Sequence, residues 1–156
     1  MEIKTGYIYH IKDDFFDKIK DNGLMINHEN GRSWPTYFTI KDNDIVWFIP
    51  LSSKVNKYKF IIEQKVKKYG SCKSIMISEI ANKQSVILIQ NAFPTLDKYI
   101  DHPHMENGAP VRVADNLKSE ILANFNSLLA MKKQGKNLFF LDIDRIKKIM
   151  LDELND

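Results

Sequence analysis

Residues 37–40, Tyr37-Phe38-Thr39-Ile40, and residues 45–51, Ile45-Val46-Trp47-Phe48-Ile49-Pro50-Leu51, flank the polar tetrapeptide Lys41-Asp42-Asn43-Asp44. Aromatic and β-branched side chains suit a pleated surface, and Asn and Asp suit turns, so the stretch predicts an antiparallel hairpin. Pro50 lacks the amide proton that an interior strand donates, which predicts an edge strand or a strand end. The chain is therefore expected to leave the sheet at Leu51-Ser52-Ser53.

Outward from the hairpin, residues 3–10 alternate and are rich in Ile, Thr and Tyr, predicting an opening strand. Phe15, Phe16 and Ile19 follow at helical spacing and end at Asn22-Gly23, a short helix. Residues 27–35 have neither period and predict a loop. Downstream, residues 74–80 and 85–89 read as strands around Asn82-Lys83-Gln84, after which residues 91–94 turn the chain away. Residues 115–133 carry Leu117, Ile121, Leu122, Phe125, Leu128 and Leu129 at helical spacing, with Gly135 beyond. A last helix starts after Asp142, a capping residue, with Ile143, Ile146, Ile149 and Met150 on one side. The expected class is α+β, a compact, mostly antiparallel sheet with helices packed on it.

Composition narrows the function. The 156 residues are 44% hydrophobic, enough for one packed core, so a single domain over residues 1–156 is expected. No apolar run approaches a membrane span and the first residues lack a signal core, which predicts a cytoplasmic protein with no membrane partner. The single cysteine, Cys72, excludes an intrachain disulfide and a Cys-based zinc cluster, and is read as packing. No phosphate loop, dinucleotide fingerprint or zinc-helix motif is present, and no cofactor is expected. His102-Pro103-His104 offers two metal ligands with only Asp101 and Glu106 nearby; it reads as a polar surface loop, and no metal site is assigned.

The net charge of +3 is modest, but residues 54–73 hold seven lysines against Glu63 alone, a local charge of +6. The residue types there leave helix and strand both open. At the head of this stretch stand Ser52, Ser53, Lys54 and Lys57, preceded in the chain by a loop with His28 and Arg32. Hydroxyls and cations without a carboxylate pair suit a phosphodiester, whose charge grows in the transition state. On RNA the 2′-hydroxyl supplies the nucleophile.

At Phe48-Ile49-Pro50-Leu51-Ser52-Ser53-Lys54-x-x-Lys57-Tyr58 the sequence resembles the ToxN/AbiQ family, endoribonuclease toxins of type III toxin–antitoxin and phage-abortive-infection systems, with the CptN type most similar. Pro50, Leu51, Ser52, Ser53 and Lys57 fall on the family pattern. Lys54 stands where Pro is usual, Val55 where Lys is usual and Tyr58 where His is usual, so Lys54 and Lys57 are both candidates for the catalytic lysine. His28 and Arg32 match the spacing of an aromatic residue and a catalytic Lys in the family's loop. The order of predicted elements extends the resemblance over most of the chain.

The resemblance implies a barrel-like fold similar to MazF/Kid toxins and metal-independent, sequence-specific RNA cleavage that leaves a 2′,3′-cyclic phosphate. It implies an RNA antitoxin, cut by the toxin from a repeat precursor into pseudoknots that close a protein–RNA assembly, with cellular mRNA as the other substrate. Ser53 is expected to bind the scissile phosphate or the 2′-hydroxyl. Lys57, Lys54 and Arg32 would stabilise the phosphorane, Ser52 would orient its neighbours, and His28 is a candidate base. Lys59, Lys65, Lys67, Lys68 and Lys73, with Tyr58 to stack a base, form the expected RNA-binding face. Two alternatives share these residues: a non-catalytic RNA-binding module, and a MazF-like toxin neutralised by a protein.

Overall fold

The computed structural model describes residues 2–27 and 34–156. In chain order the elements are β1 (Ile8–Ile11), α1 (Asp13–Lys18), β2 (Tyr37–Asp42), β3 (Ile45–Ser52), α2 (Val55–Tyr69), β4 (Met76–Ile80) and β5 (Lys83–Ile87). They continue with β6 (Phe93–Thr95), β7 (Ile100–Pro103), β8 (Met105–Glu106), β9 (Ala109–Pro110), α3 (Asp115–Lys133) and α4 (Ile143–Leu154). The main sheet is antiparallel, in the order β4-β5-β3-β2-β1-β7, with β6 also on β3. Fold class is as expected from the sequence, but among the described residues the sheet stays open rather than closing into a barrel.

The hairpin is longer and its turn tighter than the four-residue reading. Lys41 and Asp42 still pair, with Val46 and Ile45, and the turn is Asn43-Asp44 alone. Asn43 makes this feasible by adopting φ 56, a left-handed conformation that Asn tolerates.

Pro50 lies in the middle of the sheet, not at its edge, because β3 changes partner there. Val46, Trp47 and Phe48 pair with β6, whereas Leu51 and Ser52 pair with β5. Pro50 falls between those two ladders; it has no amide proton to place, and its carbonyl accepts from Leu88 N at 3.0 Å. The strand does end where expected, at Ser52.

Four other features differ from the sequence reading. The opening strand starts only at Ile8, because the chain turns at Lys4–Tyr7 and Gly6 adopts φ 92. The β4–β5 turn is Ala81-Asn82, both at positive φ, so Lys83 and Gln84 belong to β5. Residues 93–95, expected to lead away from the sheet, instead return as β6 against β3. The short helix α1 stops at Lys18, whereas α3 covers the predicted 115–133.

One side of the β2–β3 hairpin is filled by an aromatic group in which Tyr37 stacks on Phe48 at 5.0 Å and Phe15 on Phe93 at 5.1 Å. On α3, Phe125 meets Trp47 edge-on at 5.1 Å and Phe139 at 6.2 Å. The α4 helix is capped by Asp142, whose carboxylate accepts from Arg145 N at 3.2 Å, and it buries Ile143, Ile146 and Met150. A smaller cluster of Ile75, Val86 and Leu88 lies under α2 and receives Val55, Tyr58, Ile61, Ile62 and Cys72. Cys72 is thus partly buried packing.

Phe139 and Phe140 provide a contrast within one dipeptide, 6% and 68% exposed. Phe139→Ala should lower unfolding stability by about 3–5 kcal/mol. Phe140→Ala should stay within about 0.5 kcal/mol of wild type. Urea titrations of the two variants give the comparison, and equal losses would contradict this packing.

Candidate active site

The partner change at Pro50 delivers Ser52 to the last position of β3 and, with two residues between, the chain enters α2. Ser52 Oγ accepts from Lys54 N at 3.2 Å, and Ser53 O accepts from Val55 N at 2.9 Å, so the two serines shape the connecting turn. Lys54 occupies the cap position of α2 with no side-chain cap, and no acidic residue lies in the first turn. The positive end of a 15-residue helix therefore meets Ser53, Lys54 and Lys57, all exposed. Such an end attracts phosphate through its amides and its dipole.

The long reading left open at residues 54–73 resolves as this helix. Val55, Tyr58, Ile61, Ile62 and Lys65 recur at helical spacing toward the sheet, which outweighs the β-branched content, and Gly70 ends the helix at φ 84. Lys59, Lys67, Lys68 and Lys73 are exposed. Two members of the expected binding face point elsewhere. Lys65 Nζ donates to Ser74 Oγ at 3.1 Å and Gln90 Oε1 at 3.2 Å, tying α2 to the segment before β4 and to the turn after β5. The Tyr58 ring is partly buried against the Ile75–Val86–Leu88 cluster, with the Lys57 ammonium 5.2 Å from its centroid.

His28 and Arg32 lie outside the described residues. Their flanking positions are fixed near the end of β1: Asn27 Nδ2 donates to Ile11 O at 2.7 Å and to Asp13 Oδ1 at 3.0 Å, and Trp34 stands edge-on to His10 at 6.3 Å.

The sequence reading missed a histidine cluster. His102 and Pro103 belong to β7, not to a surface loop, and His102 pairs with His10 on β1. The two rings stack at 4.5 Å, and His10 Nε2 lies 3.0 Å from His104 Nδ1. His104 Nε2 is 3.4 Å from Glu106, which Lys83 also meets, at 3.1 Å. The β1–β7 pairing brings these distant histidines together, and no local signal announces it. Among the described residues, no three His, Cys, Asp or Glu groups are arranged to hold a metal ion.

Burial, and then the neighbouring His102 and His104, push the His10 pKa down from 6.5 to about 4, leaving a neutral ring. The Lys83 ammonium holds the Glu106 carboxyl below its usual value, with His104 adding to the effect. Tyr9 pairs with Tyr37, and Tyr37 with Pro50, so His10 and Leu51 fall in the next row of the sheet, two strands apart. That spacing is roughly 10 Å, which puts the histidines and the serine turn at the same end of the sheet. A shallow recess lined by Ala81, Asn82, Lys83, Glu106 and Asn107 adjoins the Glu106 end and does not include Ser53.

No protein-family model and no curated protein matches the sequence. Solved structures do. AbiQ, a lactococcal anti-phage endoribonuclease belonging to the type III toxin–antitoxin system, superposes over 98% of this chain and 100% of its own, with TM-score 0.75. The fold is that of AbiQ. Sequence identity to AbiQ is 13%, so the likeness is one of chain path, running the full length that the element order implied. Against the AbiQ backbone, side-chain chemistry has to be read from this chain's own residues.

The His10 environment fixes the sign of a pH effect. An unfolded chain protonates His10 near 6.5, whereas the folded one resists until about 4. Over that window the unfolded state binds more protons, so stability is full above it and falls on acidification. The thermal midpoint should drop between pH 7 and 5, and His10→Asn should flatten that slope. An unchanged slope in the variant would contradict the assignment.

Proposed function

We propose that the protein is a metal-independent, sequence-specific endoribonuclease toxin of a type III toxin–antitoxin system, acting in the cytoplasm on cellular mRNA and on its own antitoxin precursor. The observation that carries this reading is the exposed Ser53 beside Lys54 and Lys57 at the uncapped N-terminus of α2. The whole-length likeness to an anti-phage endoribonuclease supports it.

In the proposed reaction the ribose 2′-oxygen attacks the adjacent phosphorus. The O2′–P bond forms, the bond to the 5′-oxygen breaks, that oxygen takes a proton from water, and the products are a 2′,3′-cyclic phosphate and a 5′-hydroxyl. Ser53 binds the scissile phosphate or the 2′-hydroxyl. Lys54, Lys57 and the α2 amides stabilise the charge that accumulates on the phosphorane oxygens, with Arg32 acting from the loop side. Ser52 is a positioning residue, since its Oγ holds the Lys54 amide. His28 accepts the 2′-hydroxyl proton. The exposed Lys59, Lys67, Lys68 and Lys73 neutralise RNA phosphates, and a pseudoknot antitoxin cut from the repeat precursor occupies this face, closing an inactive protein–RNA assembly.

Ser53→Ala should relieve growth arrest and lower the cleavage rate by about 10²- to 10³-fold, with RNA affinity largely retained. The assay is cleavage of single-stranded RNA in EDTA with detection of cyclic-phosphate ends. Intact RNA that still comigrates with wild-type protein would favour the non-catalytic binding module. Copurification with an inhibitory protein, with activity unchanged by nuclease digestion of the complex, would favour a protein-neutralised toxin.

A further inference from the structure

The far end of α2 carries a second feature that the candidate cleavage site does not use. Fourteen residues separate Val55 from Tyr69, which places Tyr69 about 21 Å along the axis from the serine turn. Tyr69 is 62% exposed, and its ring is approached by two ammonium groups, Lys68 Nζ at 5.2 Å and Lys136 Nζ at 5.5 Å from the centroid. Lys136 belongs to the connection between α3 and α4. Residues 131–140, Met-Lys-Lys-Gln-Gly-Lys-Asn-Leu-Phe-Phe, contain three lysines and no acid. The fold thus brings a second basic stretch against the +6 stretch, and Tyr69 stands where they meet.

Phe140 ends that second stretch. Its ring is 68% exposed, while its amide donates to Gln90 O at 2.9 Å, which anchors the backbone and holds the ring outward. Gln90 in turn receives Lys65 from α2, one helical turn before Tyr69. A single exposed aromatic side chain is ordinary. Two exposed rings, one of them approached by Lys68 and Lys136, combine π-faces with positive charge; Lys132 of the same stretch is paired with Asp144 and takes no part. Two ammonium groups gathered at one ring repel each other, and a polyanion relieves that repulsion. A flat ring supplies what a paired duplex cannot use and an unpaired base can.

We propose that Tyr69 and Phe140, with Lys68 and Lys136, form a second RNA subsite that stacks unpaired bases about 20 Å from the cleavage site, so that one strand is held at both ends of α2. This rests on the RNA reading above and names the conformation of RNA that the basic surface takes.

The test uses the full chain carrying Ser53→Ala, so that RNA survives, and compares binding of a uridine tetramer, a uridine dodecamer and a twelve-base-pair RNA duplex. The dodecamer should bind more tightly than the tetramer, and Tyr69→Ala with Phe140→Ala should remove at least about tenfold of its affinity. Tetramer and duplex affinities should stay within about twofold. Tyr69→Phe should behave as the parent, because it keeps the ring. Lys136→Ala should reduce the salt dependence of dodecamer binding by roughly one phosphate contact.

Failure of every RNA to bind would sink the RNA reading itself. Dodecamer binding untouched by the double substitution would sink this subsite alone. Polyglutamate competing as well as RNA of equal charge would mean that the patch recognises acidic protein, and would overturn the proposal. Both rings are exposed, so circular dichroism and the urea midpoint of the double variant should match the parent.

Discussion

The arrangement hinges on the missing amide proton of Pro50. A residue with that proton would need an acceptor on the side of β3 where the ladder passes from β6 to β5. Proline removes the demand, and its carbonyl still pairs with Leu88. The consequence is a central strand that serves two partners in succession and then stops at Ser52. Had β3 kept one partner throughout, its last residues would run on in the sheet instead of bending into α2.

From that stop the chemistry follows by proximity. Ser52 is spent on the turn, Ser53 faces solvent, and the helix that starts beside them carries no acid in its first turn. The lysines of α2 separate into those that bind the protein and those that face outward. Lys65 is drawn inward by Ser74 and Gln90, while Lys57, Lys59, Lys67 and Lys68 remain exposed, as does Lys73 beyond the helix. A charge run read from sequence therefore overstates the number of cations available to a ligand.

Legibility followed the range of the interactions. The β2–β3 hairpin, α3 and the Asp142 cap are specified by neighbours in the chain, and each was readable from periodicity and turn chemistry. The type of α2 was not, because its Val and Ile content pulls toward strand until the small cluster beneath it is known. The strand end near Pro50 was readable, but its place inside the sheet was not, because a local rule about proline does not include the exchange of partners. His10, His102 and His104 meet only through the pairing of β1 with β7, and nothing in either segment alone points to the other. Of the candidate site, the end of the strand at Ser52 was legible and the histidines two strands away were not.

The small cluster under α2 has one further effect. None of the helix's 15 residues is fully buried, and its apolar contacts go to Ile75, Val86 and Leu88 rather than to the main core. Elements held by so little buried surface open at a fraction of the global unfolding cost. A polyanion gripping α2 stabilises the closed form by mass action and slows amide exchange there first. Ligand occupancy and the integrity of this one helix are thereby a single linked equilibrium.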